Sequence, residues 1–167
     1  LTTSSYIGGN NISIYLGDDG WITSSVIGGT PVYTYEWSNG ETTLDIQNLT
    51  AGQYGLVVVD QNGCTASAAV RLSQPGALEM PSGFSPNGDN SNDNFVIHGI
   101  EAYPDNEFVV YNRWGNIVYE FADYQNEWEG GNNQGKPLPD GTYFVIVRVY
   151  ASADETITLK GYVDLRR

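Results

Sequence analysis

The chain has 167 residues, with 20 Asp and Glu against 7 Lys and Arg, so its net charge at pH 7 is −13. So acidic a surface repels phosphate backbones and anionic lipid, and no apolar run reaches the roughly 20 residues that cross a bilayer. The 20 Gly residues and the excess of Tyr, Trp, Thr and Val over helix-forming residues favour an all-β protein. We therefore expect an extracellular surface or one that meets divalent cations, without a nucleic-acid partner or a membrane span.

The first residues, LTTSSYIGGN, lack both Met and the basic-then-apolar layout of a signal peptide. We therefore expect the chain to be the C-terminal part of a longer protein. Cys64 is the single cysteine, so no disulfide forms within the chain. Because no neighbouring residue would stabilise a thiolate, we expect a buried, apolar thiol.

The first half predicts an antiparallel β-domain. Ile12, Ile14 and Leu16 alternate with other residues, a Gly-Asp-Asp-Gly turn follows, and residues 21–26 run back as the second strand of a hairpin. Turn residues such as Asn39-Gly40 separate the later strands. These are predicted at residues 33–37, 53–60 and 65–72.

Gln74-Pro75-Gly76 is the predicted linker. It places one domain at residues 1–76 and a second at residues 77–167. The second domain also shows a β-pattern, with a turn at residues 113–116 and almost no helix signal. Its strands are predicted at residues 95–97, 108–111, 117–121, 142–150 and 156–165.

The two halves share a sequence signature. Leu49-x-x-Gly52-x-Tyr54 and Leu138-x-x-Gly141-x-Tyr143 have identical spacing, and each leads into a long apolar strand. Each also follows a Trp and a Gly-bearing turn. This layout resembles the tyrosine corner, in which a Tyr hydroxyl ties a crossover loop to the strand it enters. We predict two immunoglobulin-like antiparallel β-sandwich domains in tandem.

A turn dense in Asn and Asp lies between Phe84 and Phe95. The spacing of these residues is not that of an EF-hand. Short loops nevertheless bind Ca2+ through oxygen ligands arranged around a glycine, and this turn has both. Two interpretations stay open: a possible Ca2+ site, or a turn capped by its own side chains. The candidate ligands are Asn87, Asp89, Asn92 and Asp93.

Two basic segments are candidates for partner recognition. Arg113 and Trp114 lie in a predicted hairpin turn, where they could form an interface, or Trp114 could cap the core while Arg113 stacks on an aromatic ring. The terminal Arg166 and Arg167 form either a recognised tail or a frayed end.

No catalytic constellation is evident in the sequence. His98 is the single histidine, and it follows an apolar run as a strand-end polar residue would. Glu127 and Glu129 flank Trp128 at strand spacing, so both carboxylates are expected to point away from a buried ring. We predict that the chain is not an enzyme.

The first half resembles the SprB-type repeat, an immunoglobulin-like module of very large adhesins in gliding bacteria. Val32 departs from the repeat, in which a second Pro is usual, and the expected Cys partner of Cys64 is missing near residues 15–16. The segments that carry the resemblance are GGTP at 28–31, YTYEWSNG at 33–40, LTAGQY at 49–54 and VVVDQNGCTA at 57–66.

The second half resembles the type B C-terminal domain of proteins exported by the type IX secretion system, also called the gliding-motility-associated C-terminal domain. Asn90 and Glu129 stand where Gly and Asp are common in that family. The matching segments are FSPNGD at 84–89, YNRWGN at 111–116, LPDGTYF at 138–144 and KGYV at 160–163.

This second resemblance implies a targeting function. Such domains are folded signals that carry the attached protein through the outer membrane to the bacterial cell surface, and type B domains are associated with a PorP/SprF-family barrel. The resemblance implies that residues 78–167 are the signal and that the first domain is the last repeat of a surface adhesin. The alternatives are a calcium-stabilised carbohydrate- or surface-binding module, and a structural stalk.

Overall fold

The computed structural model describes residues 1–152 and 155–167, and the chain is all-β, as predicted. In this part of the chain, helix is confined to two three-residue 3-10 turns, Ile7–Gly9 and Ile100–Ala102. The chain divides into two compact units, Leu1–Pro75 and Gly76–Arg167.

The first unit consists of two three-stranded antiparallel sheets that share a core. One sheet has the order β1-β2-β4, with strands at Thr2–Thr3, Gly20–Thr23 and Ile46–Leu49. The other has the order β3-β5-β6, with strands at Thr34–Trp37, Gly52–Val59 and Thr65–Leu72. Both sheets bury side chains in the core, among them Ile22 and Ile46 from the first and Trp37, Leu56 and Leu72 from the second.

The predicted hairpin at residues 12–26 is wrong. Residues 12–16 form bends and a turn because their amides find other partners. The Ile12 amide donates to the Ser73 carbonyl at 3.0 Å, and the Ser13 amide donates to the Asp19 carboxylate at 3.0 Å. Strand β2 instead pairs with β1 and β4, two strands that the sequence pattern did not predict.

The second unit contains a five-stranded sheet of order β7-β11-β10-β8-β9. Strand β7 is parallel to β11, and the other neighbours are antiparallel. Loops at residues 85–105 and 123–140 contribute Phe95, Tyr124 and Trp128 to the core. The strands are β7 Gly83–Phe84, β8 Asn106–Tyr111, β9 Ile117–Ala122, β10 Gly141–Ser152 and β11 Glu155–Leu165.

The four long strands predicted for the second domain are confirmed, since they lie within β8 to β11. The strand predicted at residues 95–97 is wrong. The Phe95 amide donates to the Trp128 carbonyl at 2.9 Å, and the Ile97 amide donates to the Asn126 side-chain oxygen at 2.7 Å. This segment therefore bonds to the facing loop and joins no strand ladder.

Both predicted tyrosine corners form. The Tyr54 hydroxyl donates to the Thr50 carbonyl at 2.9 Å, and the Tyr143 hydroxyl donates to the Pro139 carbonyl at 2.7 Å. Each hydroxyl thus bonds to a carbonyl four residues upstream and fixes the loop that enters a core strand. The shared spacing in the sequence therefore corresponds to a shared structural device.

Among the residues that the structure describes, three turns have the same side-chain cap. The first residue of each turn, Asp60, Asn112 or Asn132, accepts the amides of the third and fifth residues on its Oδ1 atom. The fourth residue is a glycine in the left-handed region, where other residues are strained. These glycines are Gly63 at φ 80°, Gly115 at φ 80° and Gly135 at φ 75°.

Candidate functional site

The hairpin between β8 and β9 displays Arg113 and Trp114. Asn112 fixes the turn, because its Oδ1 accepts the Trp114 and Asn116 amides at 3.0 Å each. The Trp114 residue is 70% exposed, so the alternative in which it caps the core is wrong. The Arg113 guanidinium carbon lies 4.3 Å from the Trp114 ring centroid, a cation–π distance. The two side chains therefore form one outward-facing pair, here called the hairpin tip.

The charge on Arg113 is not neutralised by an acidic neighbour. Within residues 1–152 and 155–167, Arg113 forms no ion pair, although the second unit is rich in Asp and Glu. The ion pairs of that unit are Arg148 with Glu107, Arg166 with Asp164 at 3.6 Å, and Arg167 with Asp140 at 3.5 Å.

Beside the hairpin tip, three aromatic residues form a row across the sheet. Phe144 on β10 lies opposite Tyr111 on β8 and opposite Tyr162 on β11. The ring centroids of Tyr111 and Phe144 are 6.2 Å apart, and those of Phe144 and Tyr162 are 5.3 Å apart. With Arg113 and Ile146, these rings line an open groove of about 630 Å³, called the aromatic groove below.

The aromatic groove was not predicted from the sequence. Its signal was present in β10, where Tyr143 and Val145 are buried and alternate with Phe144 and Ile146 on the opposite face. Only the pairing of β10 with β8 and β11 brings Tyr111 and Tyr162 alongside Phe144, and that pairing cannot be deduced from the alternation of one strand.

The C-terminal residue is anchored within the second unit. The Arg167 guanidinium donates to the Leu138 carbonyl at 2.6 Å and to the Gly130 carbonyl at 3.0 Å. Its backbone amide donates to Asp140 at 3.3 Å. The prediction of a frayed end is therefore wrong for Arg167. The side chain of Arg166 is exposed.

The Asn/Asp-rich loop is built around the carboxylate of Asp93. Its Oδ1 accepts the Asn87 amide at 2.9 Å and the Gly88 amide at 2.8 Å, and its Oδ2 accepts the Asn90 amide at 2.8 Å. These bonds, the one from Gly88 above all, hold the pKa of Asp93 below its usual range against a smaller opposing effect of burial. The loop is thus a turn capped by its own side chain.

Among the remaining candidate calcium ligands, the side chains of Asn87 and Asp89 hydrogen-bond within this loop, and Asn92 does so through its main-chain carbonyl. Asp89 accepts the Ser91 amide at 2.8 Å and the Asn87 side-chain amide at 3.1 Å, and the Asn92 carbonyl accepts the Ser85 amide at 2.9 Å. Both lone pairs of Asp93 Oδ1 are used by amides, so this side chain could bind Ca2+ only through Oδ2. Calcium binding at this loop stays a prediction. Within the described residues, no three His, Cys, Asp or Glu side chains cluster as a metal site.

The other chemically notable residues are exposed. Cys64 ends the turn between β5 and β6 and is exposed, so the expected buried thiol is wrong. The hairpin geometry places it at the tip of the two strands, away from the core. His98, Glu127 and Glu129 are exposed as well, and the Glu127 carboxylate accepts the Gln125 amide at 2.6 Å. Trp128 between the two Glu residues is buried, as predicted.

Comparisons with known proteins give one family match. Residues 78–165, slightly more than half of the chain, match the family described as CHU_C, a type IX secretion signal domain. No curated protein matches the chain. Within the described residues, no helix is long and apolar enough to cross a membrane.

Several solved structures align with the whole chain at low similarity. The BSP domain of a biofilm-associated protein has 13% identity and a TM-score of 0.31, over 99% of this chain and 29% of that one. A two-domain fibronectin type III segment of chicken tenascin has 11% identity and a TM-score of 0.32, over 98% and 99%. Dimeric latent PorU from Porphyromonas gingivalis has 12% identity and a TM-score of 0.31, over 99% and 19%.

Proposed function

The chain belongs to the CHU_C family of type IX secretion signal domains, and from this premise we propose that residues 78–167 are a folded signal that directs the attached protein to the cell surface. The observation that carries the proposal is the family match at residues 78–165. The matched residues lie within one compact unit, which has its own buried core. That arrangement supports recognition of a folded surface and not of an extended peptide.

The partners follow from the same proposal. The signal is recognised by the type IX translocon and by a PorP/SprF-family outer-membrane barrel, with Arg113 and Trp114 as contact residues. The exposure of this cation–π pair supports that role, because Arg and Trp are common where interfaces bind most strongly. The exported protein then stays attached to the outer membrane at the cell surface.

The first unit is proposed to be the last repeat of a cell-surface adhesin. The support is the resemblance of its GGTP, YTYEWSNG and LTAGQY segments to SprB-type repeats. Its two-sheet core and tyrosine corner suit a passive repeat module, because they use Trp37, Tyr54 and Leu72 for packing. In this proposal the export signal and the adhesive cargo are separate units of one chain.

Export is tested by fusing a periplasmically delivered fluorescent reporter to residues 1–167. The fusion is expressed in a bacterium with an intact type IX system, in one without the system, and in one that lacks only the PorP/SprF-family barrel. We expect protease-accessible surface reporter in the intact strain alone. A second fusion ends at Pro75 and serves as the matched control, since it retains the first unit but lacks the signal.

Surface delivery of the fusion that ends at Pro75 would contradict the proposal, because the first unit would then suffice. Periplasmic retention of the folded full-length fusion in the intact strain would also contradict it. Delivery without the barrel but not without the translocon would retain the export function and remove the proposed barrel partner.

A further inference from the structure

Building on the proposed export function, we propose that the aromatic groove binds a protein segment in which an aspartate or glutamate neighbours apolar side chains. The groove is lined by Tyr111, Phe144, Ile146, Tyr162 and Arg113. The occupant belongs to the export machinery, which makes the groove the place where the folded signal is read.

The groove lies on the open face of the five-stranded sheet. Tyr143 and Val145 point into the core, so Phe144 and Ile146 lie on the other face of β10. Tyr162, their neighbour on β11, is 72% exposed. Contiguous apolar side chains on an exposed face mark interaction sites more often than isolated ones do.

The apolar row extends over three strands. It runs from Tyr111 on β8 through Phe144 on β10 to Tyr162 on β11. A partner segment that crosses these strands would therefore meet an apolar side chain at each of them.

The tilt of the rings favours a side-chain ligand over a sugar. The planes of Tyr111 and Phe144 are inclined by 46°, and those of Phe144 and Tyr162 by 57°. A sugar ring stacks on a flat aromatic platform, which these inclined rings do not offer. Inclined rings instead form notches that accept the edge of an aromatic or aliphatic side chain.

The charge at the groove indicates that the ligand carries an acidic group beside its apolar side chains. Arg113 is the one charged residue among those that line the groove, and it forms no ion pair in the described part of the chain. A guanidinium can hold a carboxylate through two parallel hydrogen bonds. The chain as a whole carries −13, which disfavours a polyanionic surface such as anionic lipid but permits a single carboxylate at this one cation.

The cation is held in place before binding. Asn112 caps the turn through two backbone amides, and the Trp114 ring lies against the Arg113 guanidinium. Preorganised groups lose less conformational entropy on binding than mobile ones do. A carboxylate that reaches the hairpin tip therefore finds the guanidinium already oriented beside the apolar row.

The reporter fused to residues 1–167 tests the groove in the intact strain. Arg113→Glu and Tyr162→Ser should each lower surface delivery about tenfold or more, because removing a hot-spot side chain weakens binding by at least that factor. Lys136→Glu is the control for charge, because Lys136 is exposed and lies in the turn that matches the hairpin tip. Tyr150→Ser is the control for loss of an exposed tyrosine from the same face of β10. Both controls should stay within about twofold of the unchanged chain.

A photoreactive phenylalanine at position 162 identifies the occupant in the exporting strain. We expect a crosslink to a peptide of the export machinery that bears Asp or Glu beside apolar residues. Changing that acid to Arg should restore export of the Arg113→Glu variant, because the charge pair is re-formed in reverse. The same reagent at position 150 should give no such crosslink.

The outcomes separate this inference from the proposed function. Export of both groove variants at the level of their controls overturns the groove and leaves the export signal intact. A crosslink to lipid or polysaccharide, or a failed charge reversal, also overturns it. If the unchanged chain is not exported, the proposed function fails first. Thermal unfolding midpoints of all four variants within a few degrees of the unchanged chain verify that lost export is not lost folding.

Discussion

At the scale of single residues, both units depend on polar side chains that bond to their own neighbouring backbone. Tyr54 and Tyr143 tie the loops that precede their strands, and Asp93 gathers three amides of one loop. Such local bonds were predictable, because the residue and its partner lie within seven positions of each other. The sequence predicted both corners and, as one of two alternatives, a turn between Phe84 and Phe95 that is capped by its own side chains. The structure identifies Asp93 as the capping residue.

Replacing Tyr143 with Phe should lower the free energy of unfolding of the second unit by about 0.5 to 1.5 kcal/mol, the usual net value of one hydrogen bond. Burial raises the pKa of the Tyr143 hydroxyl, so it is a neutral donor to the Pro139 carbonyl at physiological pH. Urea unfolding followed by tryptophan fluorescence measures the loss. Tyr150→Phe, at an exposed tyrosine of the same unit, is the control, and an equal loss there would contradict the role of the corner.

Asp93 makes the stability of the second unit depend on pH. Because the pKa of Asp93 is depressed in the folded protein, its contribution is present above the unfolded value of about 3.9 and is lost as the pH falls through the folded value. Asp93→Asn should therefore be less stable than the unchanged chain at pH 7, and the difference should shrink below about pH 4. Thermal unfolding between pH 7 and pH 2 measures both.

Asp105→Asn is the matched control for that series. Asp105 is exposed, and within the described residues its carboxylate accepts no hydrogen bond. Its replacement should leave the pH profile close to that of the unchanged chain. A pH-independent difference between Asp93→Asn and the unchanged chain would contradict the assignment to the carboxylate charge.

At the scale of elements, the strand pattern predicted long strands well and short ones poorly. Strand β10 alternates between buried and less buried residues from Tyr143 to Val149, whereas β8 buries residues 108–110 in succession. Length and β-forming side chains therefore identify these strands as much as period does. Strands β1 and β7 have two residues each, too few to show any period. The apolar residues at 12–16 and 95–97 were mistaken for strands, because burial in a loop requires apolar side chains as much as burial in a sheet does.

The turn at Asn112–Asn116 depends on its glycine. Gly115 has φ 80°, and an added Cβ would meet no atom within 4 Å, so Gly115→Ala should cost only backbone strain, about 1 to 2 kcal/mol. Gly115→Asn should cost less, since Asn tolerates the left-handed region. Thermal unfolding of both variants checks this order. Gly76→Ala, where an added Cβ also meets nothing and no positive φ is required, is the control and should not destabilise. Equal losses for Ala and Asn at position 115 would contradict the argument.

At the scale of the whole molecule, the basic residues and the family match are concentrated in the second unit. All Lys and Arg residues except Arg71 lie in the second unit, which is also the unit that contains the family match. Arg148, Arg166 and Arg167 pair with acids inside the unit, and Lys160 lies opposite Ile146 beside the groove. Among the described residues that line the groove itself, Arg113 is the one cation. The surface proposed for recognition therefore belongs to the second unit, which contains the signal domain, and not to the first unit.

The sequence by itself determined the all-β class, the long strands, the tyrosine corners and the resemblance to an export signal. These features depend on local period, turn chemistry and motif spacing, which are written in neighbouring residues. Only the tertiary structure decided that Cys64 is exposed, that Arg167 is anchored and that Tyr111, Phe144 and Tyr162 form one groove. Those features depend on which distant strands and loops lie side by side. A turn can fix the pairing within one hairpin, but the pairing of β8 with β10 joins strands that are not consecutive, so packing across the sheet decides it.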